Sequence, residues 1–409
     1  MKKKSLVAKI GFLLGLSGLF LFVSCNDEAS IDDPQSIQEK VSVAKFTSEP
    51  IEGQYIIVFE KGFKTKSAIL NNLKYEEKMR LLRTEIPQSF SKAGITKENI
   101  KNTFAYAVNG FAAKLTENQL NVLKKDARIK SVEQDQMITL SPIESYKGKP
   151  GSGGGGSSSA QEIPWGISRV GGGSYAGSNT AWIIDSGIDL DHADLNVDVS
   201  RSVSFVRGDA DDQNGHGTHV AGTVAAKDNS EGVIGVAPGA EVVAVRVLDR
   251  RGSGSISGVV GGVDYVAASA SNGDVANMSL GGGVSTALDN AVIAAASGGV
   301  KFALAAGNES DDANNHSPAR ANGNNIYTVS AMDVNDNFAY FSNYGNPPIE
   351  FCAPGVSIKS TWKSGGYNTI SGTSMAAPHV CGLLLLGNVS TDGTVNSDPD
   401  GNPDGIAHN

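Results

Sequence analysis

The sequence predicts an α/β fold: a doubly wound, mostly parallel sheet, preceded by a small α+β domain of split β-α-β type. Three observations predict it. Beyond residue 160, short apolar runs alternate with runs rich in small residues. Residues 181–185, 241–247, 275–279 and 301–306 read as buried parallel strands, and 255–268 and 287–296 as crossover helices. Between residues 54 and 132 the pattern is β-α-β-β-α-β. The two regions are separated by Pro-Gly-Ser-Gly-Gly-Gly-Gly-Ser-Ser-Ser at 150–159, a flexible linker.

The chain has 409 residues, enough for two or three domains with a large core. A net charge of −9 argues against a nucleic-acid partner. Only 19% of residues are charged, 49 are Gly and 3 are Cys, which suits an exported, compact, loop-rich enzyme rather than a disordered chain.

In chain order, Lys2-Lys3-Lys4 and Lys9 form a basic start, followed by an apolar stretch at 10–23 that is short for a membrane span. It ends Phe22-Val23-Ser24-Cys25. A small residue directly before Cys resembles a bacterial lipoprotein signal, which implies cleavage before Cys25, lipid on its thiol, and an envelope location held through that lipid. Phe22 departs from the usual aliphatic residue; the plainer reading is a secretory signal with an incidental cysteine. Residues 26–50 are polar and acidic and read as a tether, and 51–140 as the small domain. Its strands are expected at 55–59, 103–108, 111–115 and 129–132, and its helices at 67–82 and from Thr116. Asn109-Gly110 joins the middle strands as a hairpin signal. Residues 141–159 form the linker and 160–409 the large domain.

The chemistry gathers where strands end and helices begin. Asp185 closes an apolar strand in Ile183-Ile184-Asp185-Ser186-Gly187. His216 opens a small-residue helix in Asn214-Gly215-His216-Gly217-Thr218-His219. Ser374 sits in Gly372-Thr373-Ser374-Met375-Ala376, a glycine turn feeding an apolar helix. A serine hydroxyl needs a neutral imidazole to take its proton, and a buried carboxylate to hold that imidazole in the right tautomer. A helix N-terminus favours the developing negative charge. Asn308, ending the strand of Ala305-Ala306-Gly307-Asn308, offers an amide donor for an oxyanion beside the Ser374 backbone N–H. Ala376 stands where a nucleophile elbow has its second glycine, which disfavours an α/β-hydrolase.

With these motifs in the order Asp…His…Ser, together with Asn277-Met278-Ser279-Leu280-Gly281-Gly282-Gly283, residues 160–386 resemble subtilisin/proteinase K-type serine endopeptidases. Residues 52–140 resemble their inhibitory prodomain, on Asn109-Gly110-Phe111-Ala112-Ala113-Lys114-Leu115-Thr116 and Ser131-Val132-Glu133-Gln134-Asp135. The resemblance implies an extended substrate between Gly252-Ser253-Gly254 and Ser279-Leu280-Gly281. It implies a first pocket lined by Leu280, Ala305, Ala306 and Gly307, hence an apolar or aromatic preference before the scissile bond. Arg250 and Arg251 near the rim are expected to make acidic residues more acceptable. The resemblance further implies one structural Ca²⁺, held by side-chain oxygens of Gln161, Asp194 and Asn229 and carbonyls of Lys227, Glu231 and Val233. Glu350 marks a second, weaker candidate. The expected partners are protein substrates and the chain's own prodomain, on a monomer.

Blander readings stand beside these. His219 lies three residues after His216 but has no third ligand at metal spacing, so it reads as helix packing. His192, His316 and His379 read as structural, Asp189 as a loop residue and Met375 as packing. Cys352 and Cys381 are open between a disulfide and two buried thiols. The tail after Leu386 lacks the expected final helices, and Asp400-Gly401-Asn402-Pro403-Asp404-Gly405 reads as a solvated turn. The alternative function is a catalytically silent peptide-binding module; the presence of Asp185, His216, Asn308 and Ser374 argues against it.

Overall fold

The computed structural model describes residues 43–63, 65–66, 73–141 and 160–409. The signal with Cys25, the tether up to residue 42, part of the helix expected at 67–82 and the linker from 142 to 159 lie outside the described residues.

The small domain runs β1 (Phe46–Phe59), α1 (Tyr75–Ser89), β2 (Ile100–Phe104), β3 (Gly110–Lys114), α2 (Glu117–Lys124) and β4 (Ile129–Leu140). α1 reaches past the expected residue 82, because Ile86 continues the buried face of Leu82 one turn on. α2 opens on a capping box, with Thr116 and Gln119 bonding reciprocally. β2 stops at Phe104, short of the expected 108. The N–H groups of Ala105, Tyr106 and Ala107 leave the ladder and turn to the Asp264 carboxylate.

Two strands are longer than expected. β1 begins at Phe46, inside the stretch read as tether, and β4 continues eight residues past Val132. The reason is pairing. β1 and β4 run antiparallel from Phe46↔Leu140 to Phe59↔Ile129, and the far end of β4 pairs on its other side with the large domain. The sheet order is β2-β3-β1-β4, continued by a fifth strand from the large domain, Ser253–Ser255.

The large domain follows as α3 (Trp165–Arg169), β5 (Ala181–Asp185), β6 (Asn196–Val197), β7 (Val203–Ser204), α4 (His216–Ala225), β8 (Glu241–Arg246), β9 (Ser253–Ser255), α5 (Ile256–Ser269), β10 (Val275–Met278) and β11 (Gly282–Gly283). Then come α6 (Thr286–Ser297), β12 (Lys301–Ala305), β13 (His316–Ser317), β14 (Ile326–Met332), β15 (Ile349–Pro354), β16 (Ile358–Trp362), β17 (Gly366–Ile370), α7 (Thr373–Leu386), β18 (Ser390–Thr394) and β19 (Gly405–His408). The main sheet has ten strands, in the order β18-β19-β15-β14-β12-β10-β5-β8-β6, with β7 also pairing with β8. It is parallel except at β18, which pairs antiparallel with β19.

Side chains along β5 alternate between two cores, as strand period requires. Ala181 and Ile183 face Val220 and Val224 of α4 and Val380 and Leu383 of α7. Trp182 and Ile184 face Val259 and Val263 of α5 and Leu288 and Val292 of α6. The second core also takes Ile56, Phe104, Ala112 and Ile138 from the small domain, so the two domains share buried apolar surface. At ~1.5–3 kcal/mol for each fully buried aliphatic or aromatic side chain, this shared layer is a main source of their cohesion.

The tail adds β18 and β19 to the sheet; between them Asp400 to Pro403 form the expected exposed turn, while Asp404 departs from it. Asp404 is buried against the Ser330 hydroxyl, and Asn346 bonds the Asn402 carbonyl. Cys352 and Cys381 are two separate buried thiols.

Candidate active site

Parallel strands deliver their carboxyl ends to one rim of the sheet, and Asp185, His216 and Ser374 lie along it. Asp185 is the last residue of β5, with no exposed surface. Its carboxylate accepts the Ser186 N–H at 2.7 Å and meets His216 Nδ1 at 2.8 and 3.0 Å through its two oxygens. His216 is the first residue of α4. It follows Gly215, whose φ of +112° suits glycine and whose α-hydrogen faces the Trp362 ring where a Cβ would collide. Ser374 is the second residue of α7, behind Gly372 at φ +149°. Ser279 Oγ donates to the Ser374 carbonyl at 2.7 Å and is itself held by Asn277 Nδ2.

Asn308 is anchored by its oxygen, which accepts from Thr373 N and Oγ1 at 2.8 and 3.0 Å. Its NH₂ is thereby turned outward as a fixed donor. The acceptor it meets is the Ala44 carbonyl, at 2.5 Å. Ser374 Oγ donates to the Ser279 carbonyl at 3.1 Å, and among the described residues His216 Nε2 has no hydrogen-bond partner. The Phe46 ring stands edge-on to His216, centroids 6.1 Å apart.

The two edges expected to hold an extended chain behave differently. The first is taken by the small domain: Leu140 N donates to Gly252 O, and Thr139 and Ile138 pair with Ser253 and Gly254. At the second, β4 meets β1, and Ser48 Oγ accepts the Gly283 N–H at 2.8 Å. Leu280, Gly281, Ala305, Ala306 and Gly307 line a cleft beside Asn308 and Ser374, with Phe46, Glu309 and His316 also on its wall. Arg251 is exposed and pairs with Asp249.

The residues expected around Ca²⁺ do converge. Gln161 Nε2 lies 2.6 Å from Lys227 O, 3.3 Å from Val233 O and 3.4 Å from Asn229 Oδ1. Asn229 Nδ2 donates to Asp194 Oδ1 at 2.9 Å. Turning the two amides end for end would present their oxygens to the same small space. The Glu231 N–H bonds Asn229 Oδ1 at 3.0 Å. Asp194 is the one carboxylate; among the described residues no group of three or more His, Cys, Asp or Glu side chains gathers as a metal site. Glu350 accepts the Thr328 N–H, and burial pushes its carboxyl up to about 7. His219 bonds the Ile358 carbonyl and is pushed down to about 3 by burial; His379 bonds the Met375 carbonyl.

Sequence reasoning missed two carboxylates. Asp212 is buried beneath the His216 turn and accepts from Ser186 Oγ, Asn214 N, Gly215 N, Thr218 N and Thr218 Oγ1. Its only sequence signal is an Asp four residues before His216. Asp264, on α5, receives the β2–β3 turn, and burial pushes it up to about 6. Glu133 and Asp135 of β4 cap the N-termini of α6 and α5 through Ala287 N and Ser257 N.

Comparison with known proteins agrees with this geometry. Residues 182–388 match the subtilase family, and residues 54–141 match the peptidase inhibitor I9 family. The chain is 42% identical over 308 residues to alkaline serine exoprotease A of Vibrio alginolyticus, covering 72% of this chain and 54% of that one. It is 39% identical to the putative subtilase-type proteinase isp6 of Schizosaccharomyces pombe, of which it spans 58%. It is 35% identical to the extracellular serine proteinase of Thermus sp. (strain Rt41A), over 92% of this chain and 90% of that one. A crystal structure of a cold-adapted subtilisin-like serine proteinase overlays with a TM-score of 0.52 at 41% identity, covering 60% of this chain and 97% of that one. The chain therefore belongs to the subtilase family of serine proteases and carries a peptidase inhibitor I9 domain ahead of its subtilisin-like domain.

Proposed function

We propose that this protein is an exported serine endopeptidase made as an inhibited zymogen, with Ser374 as nucleophile, His216 as general base and Asp185 as the carboxylate that orients it. One observation carries the reading: a fully buried Asp185 carboxylate grips His216 Nδ1 at the rim of the sheet where α7 presents Ser374. With Nδ1–H held on Asp185, Nε2 is left as the base. Ser374 Oγ turns from the Ser279 carbonyl to Nε2, loses its proton there and attacks the substrate carbonyl. The oxyanion is received by Asn308 Nδ2 and the Ser374 N–H. His216 passes the proton to the leaving amine, and water then releases the acyl group from Ser374 by the same steps.

The main-chain pairing of β4 along Gly252–Gly254, with Ser279–Gly281 as the opposite edge by resemblance, supports broad sequence tolerance, and the small apolar lining of the cleft supports an apolar or aromatic residue before the scissile bond. Gln161, Asp194 and Asn229, with carbonyls of Lys227 and Val233 and, by resemblance, Glu231, would hold one Ca²⁺, which when bound ties the start of the large domain to two of its loops. The name of the Thermus relative supports export. Lipid on Cys25 would place the zymogen at a membrane, and self-cleavage near Leu140–Ser141 would free the enzyme from it, because Cys25 lies on the prodomain side of the cut.

The test is intact-mass analysis of wild type beside Ser374→Ala, both lacking residues 1–25, together with a fluorophosphonate probe. Splitting of wild type alone between Asp135 and Ala160, with Ser374 labelled, is expected. A correctly folded wild type whose Ser374 takes no label even after outside removal of the prodomain would establish the silent peptide-binding fold instead.

A further inference from the structure

We propose that residues 43–48 form a second inhibitory element, a strap that fills the oxyanion position with reversed chain polarity and must leave before the prodomain junction is cut. The inference rests on the serine-protease reading above. Its basis is the Ala44 carbonyl, which accepts the Asn308 amide at 2.5 Å. Ala44 has no exposed surface, and its N–H donates to the Ser371 carbonyl at 3.0 Å, with Val43 bridging Ser371 in parallel. Phe46 lies in the cleft beside Ser374 and edge-on to His216. Ser48 is tied to Gly283.

Polarity follows from the pairing. β4 runs antiparallel to β9, and β1 runs antiparallel to β4. The strap therefore has the sense of β9, opposite to β4, the chain laid on β9 as a substrate would be. It offers a carbonyl to the oxyanion donor from a backbone running the wrong way. Beneath it Ser374 Oγ points to Ser279 O, and His216 Nε2, beside the Phe46 ring, has no hydrogen-bond partner among the described residues. The carbonyl is bound where no proton path is assembled, so the strap can block without being consumed.

The strap also holds back the junction. Ser141 N donates to the Lys45 carbonyl, so the end of the prodomain strand is bonded to the strap rather than delivered to Asn308. Asn308 has one outward-facing amide, and the Ala44 oxygen occupies it. Self-cleavage after the prodomain requires a different carbonyl at that place.

The test compares three chains: residues 26–409, residues 46–409, and residues 26–409 carrying Phe46→Ala. The shorter chain loses Val43, Ala44 and Lys45 but keeps all of β1. Intact mass against time gives the rate of the cut between Asp135 and Ala160, and fluorophosphonate reports Ser374. A synthetic peptide of residues 41–50 is added to fully processed enzyme acting on a chromogenic peptide. The strap predicts that both altered chains process at least about tenfold faster than residues 26–409, one decade being about 1.4 kcal/mol. It also predicts that the peptide competes with substrate and stays whole. Equal processing rates with Ser374 fully labelled after processing, or a peptide cut between Ala44 and Lys45, would overturn the strap alone. If residues 46–409 do not fold, Phe46→Ala and the peptide decide the matter. An absence of labelling in every form, processed or not, would overturn the protease reading and the strap with it.

Discussion

Asp264 is the point where the prodomain is gripped most heavily, and it allows a quantitative test. Its Oδ1 accepts from Ala105, Tyr106 and Ala107 at 3.2, 2.7 and 2.8 Å, and Oδ2 also accepts from Ala105, at 3.1 Å, with the Val108 N–H adding to the group. Burial raises its carboxyl from 3.8 to about 6, outweighing the amide donors. A carboxyl raised in the folded state contributes stability that is present below about pH 4 and lost as pH climbs through 6. The loss is at most about 3 kcal/mol. Asp264→Asn keeps the Oδ1 acceptor and removes the ionisation, so it should stabilise the prodomain contact by about 1–3 kcal/mol at pH 8 and be nearly neutral at pH 4. Asp264→Ala removes the acceptor and leaves the buried Ala107 N–H and its two half-buried neighbours unmatched. It should fall about 2–4 kcal/mol below the Asn variant at both pH values. The assay is hydrogen exchange of the Tyr106 and Ala107 amides in the intact chain, in a Ser374→Ala background that prevents processing. An Asn variant less protected than wild type at pH 8, or an Ala variant as protected as Asn, would refute the reasoning.

Other outcomes follow from the same geometry. Asn308→Ala should lower kcat by about 10²–10³ with little change in KM, the range found for loss of one oxyanion donor in subtilisin; steady-state kinetics on a chromogenic peptide checks it. Glu350, raised to about 7 by burial, should cost stability progressively from pH 4.5 to 7. Glu350→Gln, which retains the acceptor for Thr328 N–H, should therefore gain about 1–2 kcal/mol at pH 8 and nothing below pH 4.5, read by denaturant unfolding. Ca²⁺ chelation should lower Tm by about 5 °C or more in wild type and by much less in Asp194→Asn, read by calorimetry. Cys352 and Cys381, both buried and pushed up by that burial, should resist a thiol reagent in the native protein and react together on denaturation.

The sequence made the reactive rim readable because each member is a local signal. Asp185 ends a run of four apolar residues, and His216 and Ser374 each follow closely on a glycine whose backbone only glycine holds comfortably. Strand positions 181–185 were legible to the residue for the same reason. What was not legible depends on partners distant in the chain. Residues 46–50 read as tether because Pro50 and a run of polar residues carry no strand period; the strand exists there because β4 pairs with it across more than eighty residues. The tail strands carry still less signal. Asp212 and Asp264 are ordinary aspartates by sequence, and only the turns folded around them give them work.

β18 is a strand with every residue exposed, reading Ser-Thr-Asp-Gly-Thr. It is also the last rung of a ten-stranded sheet. A parallel sheet of β-branched and apolar strands is a template on which further copies of the same molecule can grow, unless its margin is blunted. Here the margin is polar, short and centred on Asp392, which also meets Arg169. Losing the tail after Leu386 would bare Phe351, Cys352 and Ala353 along β15 to the next molecule. A chain clipped there should therefore self-associate before it loses its fold, an outcome that light scattering beside circular dichroism checks.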